Sequence, residues 1–136
     1  MEKYSKQKEE IFKFIKTAKN HPTAEEIYLG LNEKNSNISR GTVYRNLNLL
    51  AEKEIIKRIS ISNFPDRYEF ITETHNHAIC KECGKVFNFH YELNNEKLRK
   101  IVSMETDLEI FSNEFTIYGI CNLCKIKKGG NLICQN

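Results

Sequence analysis

Over the first fifty positions, apolar residues recur at the three-and-four spacing of helices that bury one face. In residues 5–18, SKQKEEIFKFIKTA, Ile11, Phe12, Ile15 and Ala18 fall on one side, with Lys and Glu opposite. Asn20-His21-Pro22 ends that helix. Thr23 opens the next as a capping box with Glu26 three residues on, and Ala24, Ile27, Tyr28 and Leu31 follow at i, i+3, i+4 and i+7. Polar NEKNSN breaks it. Ser39 then caps a third helix, SRGTVYRNLNLLAEK, whose buried stripe is Val43, Leu47, Leu50 and Ala51. Its other face offers Arg40, Thr42, Tyr44, Arg45 and Asn46.

The period then drops to two. In IIKRISIS, Ile56, Arg58 and Ser60 alternate with Ile55, Lys57, Ile59 and Ile61, which predicts a strand. NFPD reads as a turn and RYEFI as the returning strand. Three short helices suit either an ordinary solvated bundle or a helix-turn-helix. The hairpin directly after them favours a winged helix. On that reading the hydroxyl, Arg, Tyr and Asn side chains from Ser39 onward face a DNA major groove, and Lys57, Arg58 or the wing tip reaches the backbone or minor groove.

Residues 72–74 form a short polar linker between a first domain, 1–71, and a second, 75–126. The second reads as strand His77–Ile79, a CxxC knuckle, strand Val86–Phe89, and a helix NNEKLRKIVSM with Leu98, Ile101 and Val102 inward. Two strands follow, Asp107–Ser112 and Glu114–Ile120, and residues 127–136 make a loose tail whose Cys134 is a spare thiol. The fold class is therefore α+β: a winged helix joined by a hinge to a small α/β domain. A unit of about 50 residues has a thin core and often needs a metal staple or an oligomer partner.

Composition narrows the classes. Hydrophobic residues are 40% of the 136, with six Tyr and eight Phe, which is enough for a core. No apolar run approaches the roughly 20 residues of a membrane span. The amino-terminal MEKYSKQKEE is charged and lacks a signal-peptide core, so a cytoplasmic protein without membrane partners is expected. Residues 1–70 carry 13 Lys/Arg against 10 Asp/Glu, whereas residues 71–136 carry 8 of each. The mildly basic half is the one with the helix-turn-helix pattern.

Two metal sites are legible in the donors. Cys80-x-x-Cys83 and Cys121-x-x-Cys124, 37 residues apart, supply four thiolates for one closed, structural zinc. His75 and His77 alternate on a strand and so point the same way. With His21 and Glu69 they make a hinge-spanning set suited to Fe²⁺, Mn²⁺ or Zn²⁺.

The segments HPTAEEIY (21–28), GTVYRNL (41–47), RYEF (67–70), HNHAICKECGK (75–85), FNFHY (87–91) and IYGICNLC (117–124) carry a resemblance covering nearly the whole chain. The chain resembles the ferric uptake regulator superfamily, and most closely its peroxide-regulator branch. The resemblance implies a winged-helix domain hinged to a dimerisation domain, a homodimer, a four-cysteine zinc, and a regulatory Fe²⁺ or Mn²⁺ ion between the domains. It places the regulatory ligands at His21, Glu69, His75, His77 and Asn88. Asn88 stands where the family has a carboxylate. A second exchangeable site would fall on Thr74, Asn76, Asn88 and Asn113, and is expected to be absent. The amino terminus is shorter than is usual in the family, which is expected to weaken DNA binding. The implied function is a metal-dependent repressor on palindromic double-stranded DNA, sensing peroxide, or alternatively iron. The chain holds no HExxH or deaminase signature, and an enzyme is not expected.

Overall fold

The structure, a computed structural model, describes residues 2–71, 75–90, 96–111 and 114–129, with side chains from residue 6 onward. The chain divides into two compact units, residues 1–73 and 74–136. The linker at 72–74, the start of the helix expected from Asn94, Ser112, Asn113 and the tail beyond Gly129, with Cys134, lie outside the described residues.

The first unit has the expected order of three helices and a hairpin: α1 (Glu2–Thr17), α2 (Ala24–Glu33), α3 (Arg40–Glu52), β1 (Ile56–Ile61) and β2 (Phe64–Phe70). Both predicted caps form. Thr23 Oγ1 accepts from the Glu26 amide at 3.1 Å while Glu26 Oε2 accepts from the Thr23 amide at 3.4 Å, and Ser39 accepts from the Thr42 amide at 3.1 Å. The helical stripes meet in one core of Ile11, Ile15, Ala24, Ile27, Leu31, Val43, Leu47 and Leu50, closed by Ile56 and Tyr68 from the hairpin.

Two details of the hairpin differ from the sequence expectation. The turn is Ser62–Asn63 alone, with Asn63 in the left-handed region at φ 69°, so Phe64, Pro65 and Asp66 belong to β2. Proline is tolerated there because the register shifts between Ile59 and Ile61, and a bulge needs no amide at every position. Ile56, placed by simple alternation beside Arg58 and Ser60, is buried with Ile59 and Ile61 instead. The strand starts directly off α3, where the Ile55 amide bonds Leu50 O at 3.0 Å and its first residue is still under the helical core.

The second unit contains β3 (Asn76–Cys80), β4 (Val86–Phe89), α4 (Glu96–Thr106), β5 (Thr116–Gly119) and α5 (Asn122–Gly129). Its sheet has order β4-β3-β5, with β3 antiparallel to β4 and parallel to β5. Several expectations are corrected here. Residues 107–111 form no strand: Asp107 sits at φ 59° as α4 ends, and Leu108 and Phe111 are 60% and 84% exposed, with no described strand to pair. The strand expected over 114–120 shortens to Thr116–Gly119. Leu98 and Ile101 of α4 do not point into a core but are 43% and 45% exposed, because no described element of this chain lies over them. Residues 127–129, expected in a loose tail, continue α5 from the second cysteine pair. Among the described residues, the buried apolar contribution of this unit is Ile79 and Val86 beside Cys80 and Cys124.

The first unit's core should behave as a conventional one. Leu47→Ala, at a fully buried position of α3, should lower its stability by about 3 kcal/mol in urea unfolding. Leu29→Ala, 52% exposed on α2, should change it by less than about 0.5 kcal/mol.

Candidate metal centres and nucleic-acid face

The four cysteines of the second unit converge. Cys80 closes β3 and Cys83 lies in the turn after it, where Gly84 at φ 76° lets its amide fold back onto Cys80 O at 2.8 Å. Cys121 follows β5 and Cys124 lies in the first turn of α5. Cys80 Sγ is 3.7 Å from Cys124 Sγ, Cys83 Sγ is 4.0 Å from Cys121 Sγ, and all four sulfurs lie within 4.8 Å of one another. A disulfide needs sulfurs about 2 Å apart, and these two pairs stand at nearly twice that distance. Four thiolates at about 2.3 Å from a common tetrahedral ion stand about 3.8 Å apart, so the cysteines fit such a metal. Burial works to raise the Cys80 thiol, but hydrogen bonds from the backbone of Cys121, Cys83 and Glu82 and from the Cys83 side chain outweigh it and hold it below the ordinary thiol value. The Cys121 amide is 3.3 Å from that sulfur. Lys128 of α5 also pairs with Glu82 of the first knuckle at 3.0 Å.

The expected regulatory donors lie in two places, one in each unit. In the first unit, His21 and Glu69 are both buried, and His21 Nε2 is 3.1 Å from Glu69 Oε2. The segment carrying His21 is laid along β2: the Tyr68 amide bonds Pro22 O at 2.9 Å, Thr23 bridges Arg67, and Arg67 Nη1 donates to His21 O at 2.8 Å. Arg67, itself buried, had no role in the sequence reading. The signal for it is the arginine two residues before a candidate carboxylate ligand. In the second unit, His75 Nε2 and His77 Nε2 are 3.1 Å apart, as two residues of alternating strand predict. Asn88 pairs with His77 across β3 and β4, which puts the two side chains on one face. Of the positions of a second exchangeable site, Asn76 and Asn88 are described, whereas Thr74 and Asn113 are not.

The outer face of α3 is narrower than expected. Ser39 and the half-buried Thr42 are engaged with each other as the cap, with hydroxyls 2.9 Å apart. Arg40 makes two bonds to Glu25, at 3.0 and 2.8 Å, and lies 4.2 Å over the Tyr28 ring. Tyr44 and Arg45 are exposed. Asn46 is not. It is fully buried, with Nδ2 donating to Thr42 O at 2.8 Å, because the inner stripe runs 43, 46, 47, 50 at the helical period. The exposed position one turn on from Arg45 is Asn48, hydrogen-bonded to Arg58 of β1, and this link from helix to wing was missed.

Comparison with known proteins settles the family. Residues 2–118 match the model of the ferric uptake regulator family.

The chain belongs to the ferric uptake regulator family.

Among family members, it is 35% identical over 119 residues to the peroxide-responsive repressor PerR of Staphylococcus epidermidis, covering 88% of this chain and 79% of that one. The PerR of Staphylococcus saprophyticus is 36% identical over 121 residues, covering 89% and 81%. Among solved structures, the fold matches the Helicobacter pylori ferric uptake regulator Fur with a TM-score of 0.76 at 30% identity, covering 88% of this chain and 80% of that one. That structure reveals three functional metal binding sites. No described helix is long and apolar enough to cross a membrane.

If the tetrathiolate site is structural, Cys121→Ser should abolish its metal, measured as zinc per chain after exhaustive dialysis. It should also remove the second unit's amide protection from hydrogen exchange while the α1–β2 unit keeps its own.

Proposed function

We propose that this chain is a metal-dependent, DNA-binding transcriptional repressor of the peroxide-responsive kind. The observation that carries it is where the His21–Glu69 pair sits. His21 lies two residues before the cap of α2, and Glu69 lies in the wing strand, so an ion held there is fastened to the framework that presents α3. His75 and His77, as two converging imidazole nitrogens, supply the complementary half. One Fe²⁺ or Mn²⁺ ion taking both halves would fix the orientation of the DNA-binding unit, with one further donor to come from β4 or the residues beside it. The cysteine site is assigned to zinc. The ion's leverage on DNA binding equals its preference for the binding orientation over all others.

Tyr44 and Arg45 are the side chains assigned to the major groove, with Arg40 available only by giving up Glu25. Ser39 and Thr42 act as the cap, which leaves their hydroxyls engaged with each other and the Thr42 amide bonded to Ser39. The partner on the other side is a second copy of the chain. Leu98, Ile101, Met104, Leu108 and Phe111 expose an apolar surface that a monomer leaves in water. A dimer suits a palindromic operator with half-sites about 34 Å apart.

Fe²⁺ held by His21, Glu69, His75 and His77 would activate peroxide at the site; a ligand imidazole would take up one peroxide oxygen and give the two electrons, and the other oxygen would leave as water. A duplex selected from a random pool with metal-loaded protein should be bound with Mn²⁺ or Fe²⁺ and released by a chelator that leaves the cysteine metal in place. Brief peroxide with Fe²⁺ should also release it, with one oxygen atom gained on the peptide holding His21 or on that holding His75 and His77 by mass spectrometry. Release on chelation without any oxygen gain would instead assign the protein to iron sensing, the reading that Glu69 and the likeness to the Helicobacter pylori protein favour. Binding indifferent to both treatments would overturn regulation by this site.

Ile101→Asp should convert a dimer to a monomer in sedimentation velocity, because it places a charge in the apolar surface of α4.

A further inference from the structure

The sheet register brings a residue into the second unit's half-site that neither the sequence reading nor the family assignment put there. β3 and β4 pair Asn76 with Phe89 and His77 with Asn88. One step further along the same antiparallel register, His75 stands opposite His90, and their rings are 6.2 Å apart between centroids. Side chains alternate along each strand, so His75 and His77 share one face with Asn88 and His90, while Phe87 and Phe89 take the other.

The distances decide what this face can hold. Two imidazoles bound through nitrogen at about 2.1 Å to one ion place their centroids about 4.5–5.3 Å apart. His75 and His77 are already there, at 4.9 Å. His90 is about 1 Å too far, and its ring is on an exposed side chain that closes the gap by rotating about its own bonds. Asn88, between them, brings an uncharged amide oxygen, a weaker donor for any divalent ion than an imidazole nitrogen.

We propose that His90 is a metal ligand: it joins His75 and His77 as the third imidazole of this half-site, in place of coordination by Asn88. The assignment rests on the reading that His75 and His77 hold an exchangeable ion. With His21 it makes all four histidines of the chain ligands, and Glu69 the one charged donor. Such a nitrogen-rich set, carrying a single negative charge, loses preference for Mn²⁺ and gains it for ions later in the divalent series.

The test uses the full-length protein with its cysteine site filled by zinc, titrated with Co²⁺ and read by visible absorption. His90→Ala should weaken Co²⁺ at least about tenfold and shift the d–d bands, since even outer ligand partners cost that much. Asn88→Ala should weaken it less than about twofold. Proton NMR of the Co²⁺ form should show one fewer hyperfine-shifted imidazole N–H signal in His90→Ala than in the parent. His77→Ala is the control for the underlying reading. If it binds Co²⁺ like the parent, the half-site itself is refuted. If His77→Ala loses binding while His90→Ala keeps both affinity and spectrum, His90 is no ligand and the proposal is overturned. A tenfold loss in Asn88→Ala with none in His90→Ala would likewise give the position to the amide.

Discussion

Four sulfur atoms within 4.8 Å of each other set the terms for the whole second unit. Two thiolates about 4 Å apart repel by roughly 4 kcal/mol at an effective dielectric of 20, and four such groups make six pairs. Without a cation a fully ionised cluster would be strongly self-repelling, yet hydrogen bonds hold the Cys80 thiol below its ordinary value. A structural zinc returns about 10–16 kcal/mol, more than the unit's small apolar interior of Ile79 and Val86 supplies. The dependence runs on through the strand. Cys80 ends β3 and His77 lies three residues before it, so the sulfur cluster that anchors the strand also fixes where the imidazoles stand.

The first unit makes the opposite bargain. Its three helical stripes close one apolar core without help, and its unusual features are buried polar groups at one edge. His21 and Glu69 sit out of water, at a desolvation cost that only hydrogen bonding or a metal offsets. Arg67 donates to the His21 carbonyl, so the chain around His21 is tied to β2 rather than left as a loop end. Local consistency everywhere except at such an edge is what a folded scaffold with a functional site on it looks like.

How far these features were legible follows from where each signal resides. The stripes of α1, α2 and α3 bury against one another within the chain, so periodicity alone located them, and the caps at Thr23 and Ser39 marked their starts. The four cysteines and the His75–His77 pair were legible because spacing and chemistry coincide. Asn46 was misplaced because residue type suggested an outer face while helical geometry put it between Val43 and Leu50. Pro65 was read as turn because proline usually is. The bulge that admits it into β2 leaves no trace in composition. For α4 the apolar stripe was read correctly and its destination was not, since Leu98 and Ile101 stay 43% and 45% exposed. His90 went unread because its significance lies in register, which pairing across strands creates and a linear pattern does not display.

The adjacency of the two donor sets raises the question of how each keeps its own ion. Softness separates them. Four thiolates favour Zn²⁺ strongly and exclude harder ions such as Mn²⁺, while imidazoles with a single carboxylate bind first-row divalent ions in a graded order and exchange them. Geometry adds to this, because the cysteine tetrahedron offers no open position and the imidazole pair is only a partial shell. On the proposed reading the closed site would fill once, as the unit folds, and the open one would stay in equilibrium with the surrounding pool. With His75 directly before β3 and Cys80 at its end, five residues on, a permanent ion at the cysteines would be the reference against which an exchangeable one acts. A sensor built on a loop would spend its binding energy on ordering that loop. Here the strand is already ordered, so under the proposed mechanism the differential affinity of a second ion would remain available to bias the orientation of the DNA-binding unit.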